Sequence, residues 1–108
     1  MIHYNAWFSL RPEAVERDAL QHVRTFLAGL KARGLVQDFV LLKNRTAPGK
    51  TRLATFQAVI AFRDDDQMGR PFKEVAEAGF RTGAHGFMIE PVQDFWVEIF
   101  EEVMASDA

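Results

Sequence analysis

Residues 1–10 read MIHYNAWFSL, and the alternation in this stretch decides the fold. Successive side chains of an extended strand point to opposite sides of a sheet. One face therefore carries the apolar residues Ile2, Tyr4, Ala6, Phe8 and Leu10. The other face carries His3, Asn5, Trp7 and Ser9. The first set is typical of a core. The second set is too polar for a dry core, and its tryptophan is unusual for open water.

Two helices are predicted downstream. Apolar residues at helical spacing, followed by Gly34, predict a first helix over residues 13–33. The three aspartates at 64–66 favour the start of a second helix, because carboxylates cap a helix N-terminus and suit its dipole. Pro71 is unfavourable inside a helix. It is therefore expected to mark a break, with the main part of the second helix over residues 70–78.

Apolar and alternating runs predict three further strands over residues 35–43, 53–63 and 92–102. Between the first two of these, Pro48-Gly49 predicts a type II turn. The resulting order, β-α-β-β-α-β, is the ferredoxin-like or split βαβ arrangement. The sequence thus predicts an α+β fold with a four-stranded antiparallel sheet, in a single domain over residues 1–108.

Two helices can cover only one face of such a sheet. On the last strand, the covered face is expected to carry Phe95, Val97 and Ile99. The uncovered face is expected to carry His3, Asn5, Trp7, Thr55, Gln57, Val59, Asp94, Trp96, Glu98 and Phe100. Exposed apolar patches of this kind usually mark interaction sites. Pairing the face with its own copy across a two-fold axis would bury it, so the sequence predicts a homodimer.

Composition excludes several classes of function. The net charge of -2 lacks the basic excess that is typical of nucleic-acid-binding proteins. There is no cysteine, and therefore no disulfide framework, thiolate nucleophile or Cys-type zinc site. The N-terminus lacks the features of a signal peptide, and no segment approaches the roughly 20 apolar residues that span a bilayer. We therefore expect a cytoplasmic protein with no membrane or nucleic-acid partner.

The chain resembles the dimeric α/β-barrel superfamily, and most closely its uncharacterised bacterial members. The resemblance rests on Tyr4 and Trp7 in the first strand, Leu10-Arg11-Pro12, FRDDD at 62–66, His85, and VEIFEEV at 97–103. It implies two sheets that face each other as a barrel, with a pocket in each protomer inside the barrel or between sheet and helices. Relatives include cofactor-free monooxygenases of aromatic substrates, haem-degrading proteins, dehalogenase-like and lyase-like enzymes, and stress proteins. This spread means that the fold does not decide the function.

The uncovered face supplies the first candidate site. Resemblance to the cofactor-free monooxygenases, which hold a polyphenol with Asn, Trp and Arg, implies a catalytic role for Asn5. The face departs from that pattern because no arginine is predicted on it. The alternative is that these side chains only pack in a dimer interface. The residues expected to bind a ligand there are His3, Trp7, Gln57 and Trp96.

His85 is the second catalytic candidate. It lies in the glycine-flanked segment TGAHGF and within residues 84–90, which are predicted to form one further helical turn. Imidazole titrates near neutral pH and is suited to general-base catalysis or proton transfer. The alternative is a structural role, in which His85 caps the turn before the last strand.

Two weaker patterns are present. Asp94 and Glu98, with His3, would share one sheet face, but they match no recognised metal-ligand spacing. Neither a metal nor a cofactor is therefore predicted. Four basic residues, Lys43, Arg45, Lys50 and Arg52, cluster between the second and third strands. They suit an anionic ligand, although a solvated loop is the commoner explanation.

These patterns predict a homodimer that binds a small aromatic or apolar molecule. If the protein is an enzyme, a cofactor-free monooxygenase-like reaction is the preferred hypothesis. The alternative is a non-catalytic, stress-related or interaction module whose sheet face serves dimerisation. Convergence of His3, Asn5 or His85 on a cavity would favour the enzyme. A face filled by Trp7, Trp96 and Phe100 would favour the alternative.

Overall fold

The structure, a computed structural model, describes residues 1–104. The last four residues of the predicted domain lie outside this range. The chain forms four strands, β1 (Ile2–Leu10), β2 (Asp38–Lys43), β3 (Phe56–Phe62) and β4 (Val92–Glu101). It also forms three helices, α1 (Glu16–Ala32), α2 (Asp65–Ala78) and α3 (Gly83–Ile89). The predicted β-α-β-β-α-β order is confirmed, and the single turn expected near residue 85 is a short helix, α3.

All four strands belong to one antiparallel sheet in the order β2-β3-β1-β4. Within one chain the sheet is open, with β2 and β4 at its edges. One side, which we call the helix face, packs against α1 in the hydrophobic core. The core is built from Ala6, Phe8, Val23, Leu27, Leu30, Leu35, Val36, Phe56, Ala58, Ile60 and Phe62. The predicted ferredoxin-like fold is therefore confirmed, and the opposite side of the sheet faces away from the helices.

The first helix ends where the sequence predicts. Gly34 has φ +74°, a left-handed conformation that glycine adopts without steric cost. Its N–H donates to the Lys31 carbonyl, and the N–H of Leu35 donates to the Leu30 carbonyl. This pair of bonds is the Schellman motif, which satisfies the last carbonyls of a helix. Leu35 and Val36 are then buried in the core, so β2 begins only at Asp38 and not at residue 35.

The start of α1 and the start of β3 also differ from the predictions. The N–H of Ala14 donates to the Arg11 carbonyl at 3.0 Å, so Pro12 lies in a separate turn and the helix begins at Glu16 rather than residue 13. On β3, the pairing with β1 begins at Phe56, three residues after the predicted start. The predicted type II turn is present, because Gly49 has φ +83° and the N–H of Lys50 donates to the Ala47 carbonyl.

The second helix is continuous from Asp65, and Pro71 lies inside it. The prediction of a break at this proline is wrong. The Asp64 side chain caps the helix by accepting a hydrogen bond from the Gln67 N–H at 2.8 Å. Pro71 removes one backbone donor, but it is buried, so its ring packs in the protein interior. The aspartate cap therefore sets the helix start, upstream of the proline.

Gln67 is a buried polar connection that the sequence did not reveal. Its side chain is 1 % exposed. The side-chain Nε2 donates to the Gly34 carbonyl at 2.9 Å and to Gln37 Oε1 at 2.8 Å, while its Oε1 accepts from the Arg63 N–H at 2.6 Å. These bonds join α2 to the end of β3 and to the segment between α1 and β2.

The last strand contains a bulge that the alternating sequence did not indicate. Trp96 pairs with Trp7, but Ser9 pairs with Gln93, so β4 has one residue more than β1 between these pairs. Asp94 in this bulge has φ +51°, and its carboxylate accepts a hydrogen bond from the Ser9 hydroxyl at 3.0 Å. An extra residue of this kind changes the alternation of faces along a strand.

Ile99 pairs with Tyr4 and so lies on the helix face, as predicted, but this face is poorly covered at β4. Phe95 is 58 % exposed and Ile99 is 56 % exposed, whereas Val97 packs against the core cluster. The reason is that β4 is an edge strand, and the strand contacts of α2 are mainly with β3. Within residues 1–104, no helix is long and apolar enough to cross a membrane.

Candidate ligand-binding face

The side of the sheet that faces away from the helices carries the predicted site residues of β1, β3 and β4. We call it the open face. The strand pairing places Trp7 between Gln57 on β3 and Trp96 on β4, and Asn5 between Val59 and Glu98. Directly paired residues point to the same side of a sheet. The structure therefore brings Asn5, Trp7, Gln57 and Trp96 together, as the sequence predicted.

The two tryptophans form the centre of the open face. Their rings stack with centroids 5.8 Å apart and planes 20° apart. Trp7 is 8 % exposed, so it is already buried within one chain, whereas Trp96 is 36 % exposed. Stacked aromatic pairs of this geometry stabilise each other beyond the burial of their surfaces. The pair thus forms a rigid aromatic wall whose Trp96 side is accessible.

Asn5 and Gln57 are hydrogen-bonded to each other beside this wall. Gln57 Nε2 donates to Asn5 Oδ1 at 2.9 Å, and Asn5 Nδ2 donates to the backbone carbonyl of His3 at 3.2 Å. Asn5 is 8 % exposed. Buried amides of this kind are satisfied polar groups, because both ends have partners. In one chain, the Asn5 side chain is therefore engaged with the protein.

Apolar side chains surround this polar centre, and two of them come from a strand whose faces the sequence analysis did not assign. Val40 and Leu42 of β2 pair with Val59 and Gln57 of β3 and so belong to the open face. Phe100 of β4 pairs with His3. Val40, Leu42, Trp96 and Phe100 are all substantially exposed. The alternation of side chains along β2 assigns Val40 and Leu42 to the open face, because their neighbours Phe39 and Leu41 pack on the core.

A cleft of about 270 Å³ opens at the end of the open face, where the β2–β3 connection rises beside Trp7. Part of its wall comes from the face itself and part from residues 43–54. The lining residues are Trp7, Leu42, Lys43, Asn44, Arg45, Thr46, Thr51, Leu53, Ala54, Phe56 and Gln57. We call this space the hairpin cleft. Two of the predicted ligand-binding residues, Trp7 and Gln57, line it, while Asn5, His3 and Trp96 do not.

His85 lies elsewhere. It is on α3, and its ring packs edge-on against Phe26 of α1 and against Phe80, with centroids 5.3 and 4.7 Å away. Its Nδ1–H donates to the Phe80 carbonyl at 2.6 Å. Because α1 packs on the helix face, the structure places His85 on the other side of the sheet from Asn5. The two candidate catalytic residues do not share a site in one chain, and the His85 contact is typical of the structural alternative.

His3 stands at the far end of the open face from the hairpin cleft. Its Nε2 is 3.6 Å from Glu102 Oε1, and the other oxygen of Glu102 is 3.4 Å from the N-terminal amino group. Of the acidic pair proposed with it, Asp94 lies in the β4 bulge and Glu98 pairs with Asn5. In the described part of the chain, no three His, Asp or Glu side chains are grouped so as to hold a metal ion.

The clearest pKa shifts belong to groups that hold the scaffold together. The hydrogen bond from the Gln67 N–H, followed by that from Arg63 Nε, holds the pKa of Asp64 below its usual value. Bonds from Lys31 and the Phe39 N–H likewise lower the pKa of Asp38. Burial raises the pKa of Tyr4, which packs on the helix face. None of these groups lines the hairpin cleft.

A second cleft, of about 310 Å³, lies between the start of α1 and α3. Here the ring of His22 stacks on Phe87, with centroids 5.8 Å apart. Three carboxylates line this cleft, from Glu13, Asp18 and Glu90. It contains none of the predicted site residues.

Comparison with known proteins places the chain in a family and a fold. The model of DUF6614, described as a family of unknown function, matches residues 1–107. Comparison with functionally curated proteins gave no match. The fold is similar to that of the Arabidopsis thaliana protein At3g17210, with a TM-score of 0.73 and 8 % sequence identity over 97 % of this chain and 98 % of that one.

Two further solved structures have the same fold. One is described as a dimeric ferredoxin-like protein of unknown function from Jannaschia sp. CCS1 (TM-score 0.65, 13 % identity, 94 % of this chain and 98 % of that one). The other is described as an antibiotic biosynthesis monooxygenase (TM-score 0.60, 16 % identity, 96 % of this chain and 100 % of that one). The predicted resemblance to dimeric ferredoxin-like proteins is confirmed at the level of the fold, which by itself does not assign an activity.

Proposed function

The chain belongs to DUF6614, a family of unknown function, and we propose that it acts as a homodimer that binds a small aromatic or apolar molecule beside Trp7. The observation that carries this proposal is the hairpin cleft, which joins an aromatic wall to an otherwise unpartnered apolar face. Ligand sites are typically concave and largely apolar, with a few polar groups that orient the ligand. Here Gln57 and the loop residues supply the polar groups.

The homodimer is supported by the chemistry of the open face. Val40 and Leu42 on one edge strand and Trp96 and Phe100 on the other are exposed in one chain, and Trp7 lies between them. Contiguous apolar patches on soluble proteins mark interaction surfaces. A two-fold axis pairs such a face with itself. The description of the Jannaschia structure as dimeric supports a dimer.

A cofactor-free monooxygenase-like reaction is the more specific form of this proposal. In such a step a phenolic substrate becomes a quinone. One atom of O₂ replaces a ring hydrogen and becomes a carbonyl oxygen, and the other leaves as water with that hydrogen and the phenolic hydrogen, so the substrate supplies all the electrons. Asn5 is the proposed catalytic amide. It does not line the hairpin cleft, but it is bonded to Gln57, which does, so a substrate would reach Asn5 by replacing Gln57 in that bond. The cytoplasmic location and the absence of membrane or nucleic-acid partners stay predictions from composition.

One observation favours the non-catalytic alternative. The side-chain oxygen and nitrogen of Asn5 are both engaged in hydrogen bonds, and within residues 1–104 no buried side-chain polar atom lacks a partner. An active site commonly keeps such groups available for the substrate. In this alternative the open face exists only to form the dimer, and no small molecule enters the hairpin cleft.

The test uses the native chain. Sedimentation equilibrium is expected to give a dimer mass. Titration with 2-naphthalenemethanol, a neutral two-ring probe, is expected to give saturable heat in calorimetry and to move the indole N–H signal of Trp7 in NMR spectra. Cyclohexylmethanol, which is apolar but not aromatic, is the matched control for stacking. A stable monomer would refute the dimer, and a dimer that binds neither probe would leave the non-catalytic alternative. Uptake of O₂ with an oxidisable naphthol tests the reaction separately.

A further inference from the structure

We propose that the ligand of the hairpin cleft is a planar aromatic anion, and that the Arg45 guanidinium binds its anionic group while Trp7 packs against its ring. This inference rests on the proposed function and narrows the class of ligand. The preference for an anion then comes from the β2–β3 connection. The apolar open face alone would not provide it.

The first support is the charge of the cleft lining. Lys43 and Arg45 are its charged residues, and no carboxylate of the described chain lines it. Lys43 Nζ is already paired with both carboxylate oxygens of Glu16, at 3.0 and 3.2 Å. Arg45 is exposed and, among the described residues, forms no ion pair. Arg45 is therefore the cation that remains for a ligand.

The second support is the field around Arg45. Residues 43–52 contain four basic residues and no acidic residue, although the whole chain has a net charge of -2. Lys50 and Arg52 do not line the cleft, but they stand within the same short connection. Charges of one sign around a cleft raise the local concentration of oppositely charged ligands. The second cleft, between α1 and α3, is lined by three carboxylates and by Arg11, so its charges do not favour an anion.

The third support is the hydrogen bonding of the loop that carries Arg45. Asn44 Oδ1 accepts from the Thr46 N–H at 3.0 Å, and Asn44 Nδ2 donates to Thr51 Oγ1 and to the Ala54 carbonyl. The N–H of Asn44 donates to the Thr55 carbonyl at 2.7 Å. The backbone on both sides of Arg45 is thus fixed before a ligand arrives. A preorganised site loses less entropy on binding.

The fourth support is the opposite wall. Trp7 and Leu42 form the apolar end of the cleft, and Gln57 lies between them in the sheet. A ligand that fills the space therefore meets an aromatic surface at the sheet and a planar guanidinium at the loop. Guanidinium groups bind carboxylates in a bidentate geometry that lysine does not reproduce. The arrangement fits an aromatic ring with a carboxylate or a similar oxyanion.

The experiment compares three probes with the same ring system on the native protein: 2-naphthoate, neutral 2-naphthalenemethanol and cationic 2-naphthylmethylammonium. Calorimetry is expected to give a Kd for 2-naphthoate about tenfold lower than that of the neutral probe, because charge-assisted hydrogen bonds are the stronger kind. The cation is expected to bind more weakly than either. Raising the salt concentration is expected to weaken the binding of 2-naphthoate and to leave the binding of the neutral probe unchanged.

The variant R45Q is expected to remove the preference for 2-naphthoate while leaving the Kd of the neutral probe within about twofold. K50Q removes the same charge from the same connection but not from the cleft lining, so it is the matched control and should keep most of the preference. Both side chains are exposed, and an unchanged Tm confirms that each variant folds.

Each outcome is decisive. Equal binding of the anionic and neutral probes overturns the anion proposal and leaves the proposed function standing. Absence of binding by all three probes overturns the ligand-binding function itself. An equal loss of preference in R45Q and K50Q refutes a direct contact with Arg45, because it shows a general effect of the charge in the loop.

Discussion

Trp7 and Trp96 stack across neighbouring strands, yet Trp7 is 8 % exposed and Trp96 is 36 % exposed. The Trp7 ring is buried by its own chain, whereas the Trp96 ring is partly exposed and can contact a partner that covers the sheet. This asymmetry assigns different roles to the two tryptophans. Trp7 belongs to the wall of the hairpin cleft, and Trp96 belongs to the proposed contact between protomers.

We expect W96A to weaken the dimer at least tenfold, because buried tryptophans near the centre of an interface commonly contribute about 2 kcal/mol or more. Sedimentation velocity over a range of concentrations measures the dissociation constant. I99A is the matched control, since Ile99 lies on the same strand and is more exposed than Trp96, but it pairs with Tyr4 and so belongs to the helix face. Equal weakening by the two substitutions would contradict the assignment of the interface to the open face.

Gln67 is expected to be the polar side chain on which stability depends most. Q67A leaves the Gly34 carbonyl, the Gln37 side chain and the Arg63 N–H without their partner. Unsatisfied buried groups cost about 1–3 kcal/mol, so the free energy of unfolding in urea should fall by about that amount. The exposed Gln21 makes one long hydrogen bond to Thr25, and Q21A should change stability by less than about 0.5 kcal/mol. Similar losses in both variants would refute the role of the Gln67 connection.

Stability should decrease in acid because of the Asp64 cap. Hydrogen bonds in the folded state lower the pKa of Asp64 below its unfolded value of about 3.9. The stabilisation is therefore fully present above that value and is lost as the pH falls through the folded pKa. D64N keeps an acceptor for the Gln67 N–H but does not titrate. Thermal melts from pH 7 to pH 2 should show the advantage of the native protein over D64N disappearing at low pH, and a constant advantage would contradict this cause.

Substitution by alanine should change the free energy of unfolding in opposite directions at two glycines of the α1 region. Gly34 has φ +74°, so G34A should lower the free energy of unfolding by about 1–2 kcal/mol. Gly29 lies inside α1, where alanine is favoured by about 1 kcal/mol. An added Cβ meets no atom within 4 Å at either position, so neither effect comes from packing. Urea unfolding measures both, and a stabilised G34A would contradict the role of Gly34 as the helix terminator.

The parts of the fold that follow local rules could be predicted from the sequence. The alternation of residues 1–10 correctly predicts Asn5 and Trp7 on the open face and Phe8 in the core. It is reliable there because β1 is paired on both sides and stays regular. Gly34 ends α1, and Pro48-Gly49 forms the expected turn, because both depend on backbone conformations that few other residues favour. These features need no knowledge of the rest of the chain.

The parts that depend on distant contacts could not be predicted in this way. Gln67 looks like an ordinary polar residue of a helix until the Gly34 carbonyl and Gln37 are seen beside it. The hairpin cleft needs Leu42, Arg45 and Trp7 from separate segments to meet. His85 is a catalytic candidate by sequence, but it packs against Phe26 and Phe80 on the other side of the sheet from Asn5. His85 therefore cannot act together with the open-face residues of the same chain.

The bulge at Asp94 has a consequence for comparing related sequences. It divides β4 into two segments whose inward and outward positions are out of phase, one at Val92–Gln93 and the other from Trp96 onward. A homologue that lacks one residue here would keep Trp96 beside Trp7 only if the deletion fell between Gln93 and Trp96. Alignments of this strand should therefore be anchored separately at its two ends, and length differences at this point should not be counted as changes in the open face.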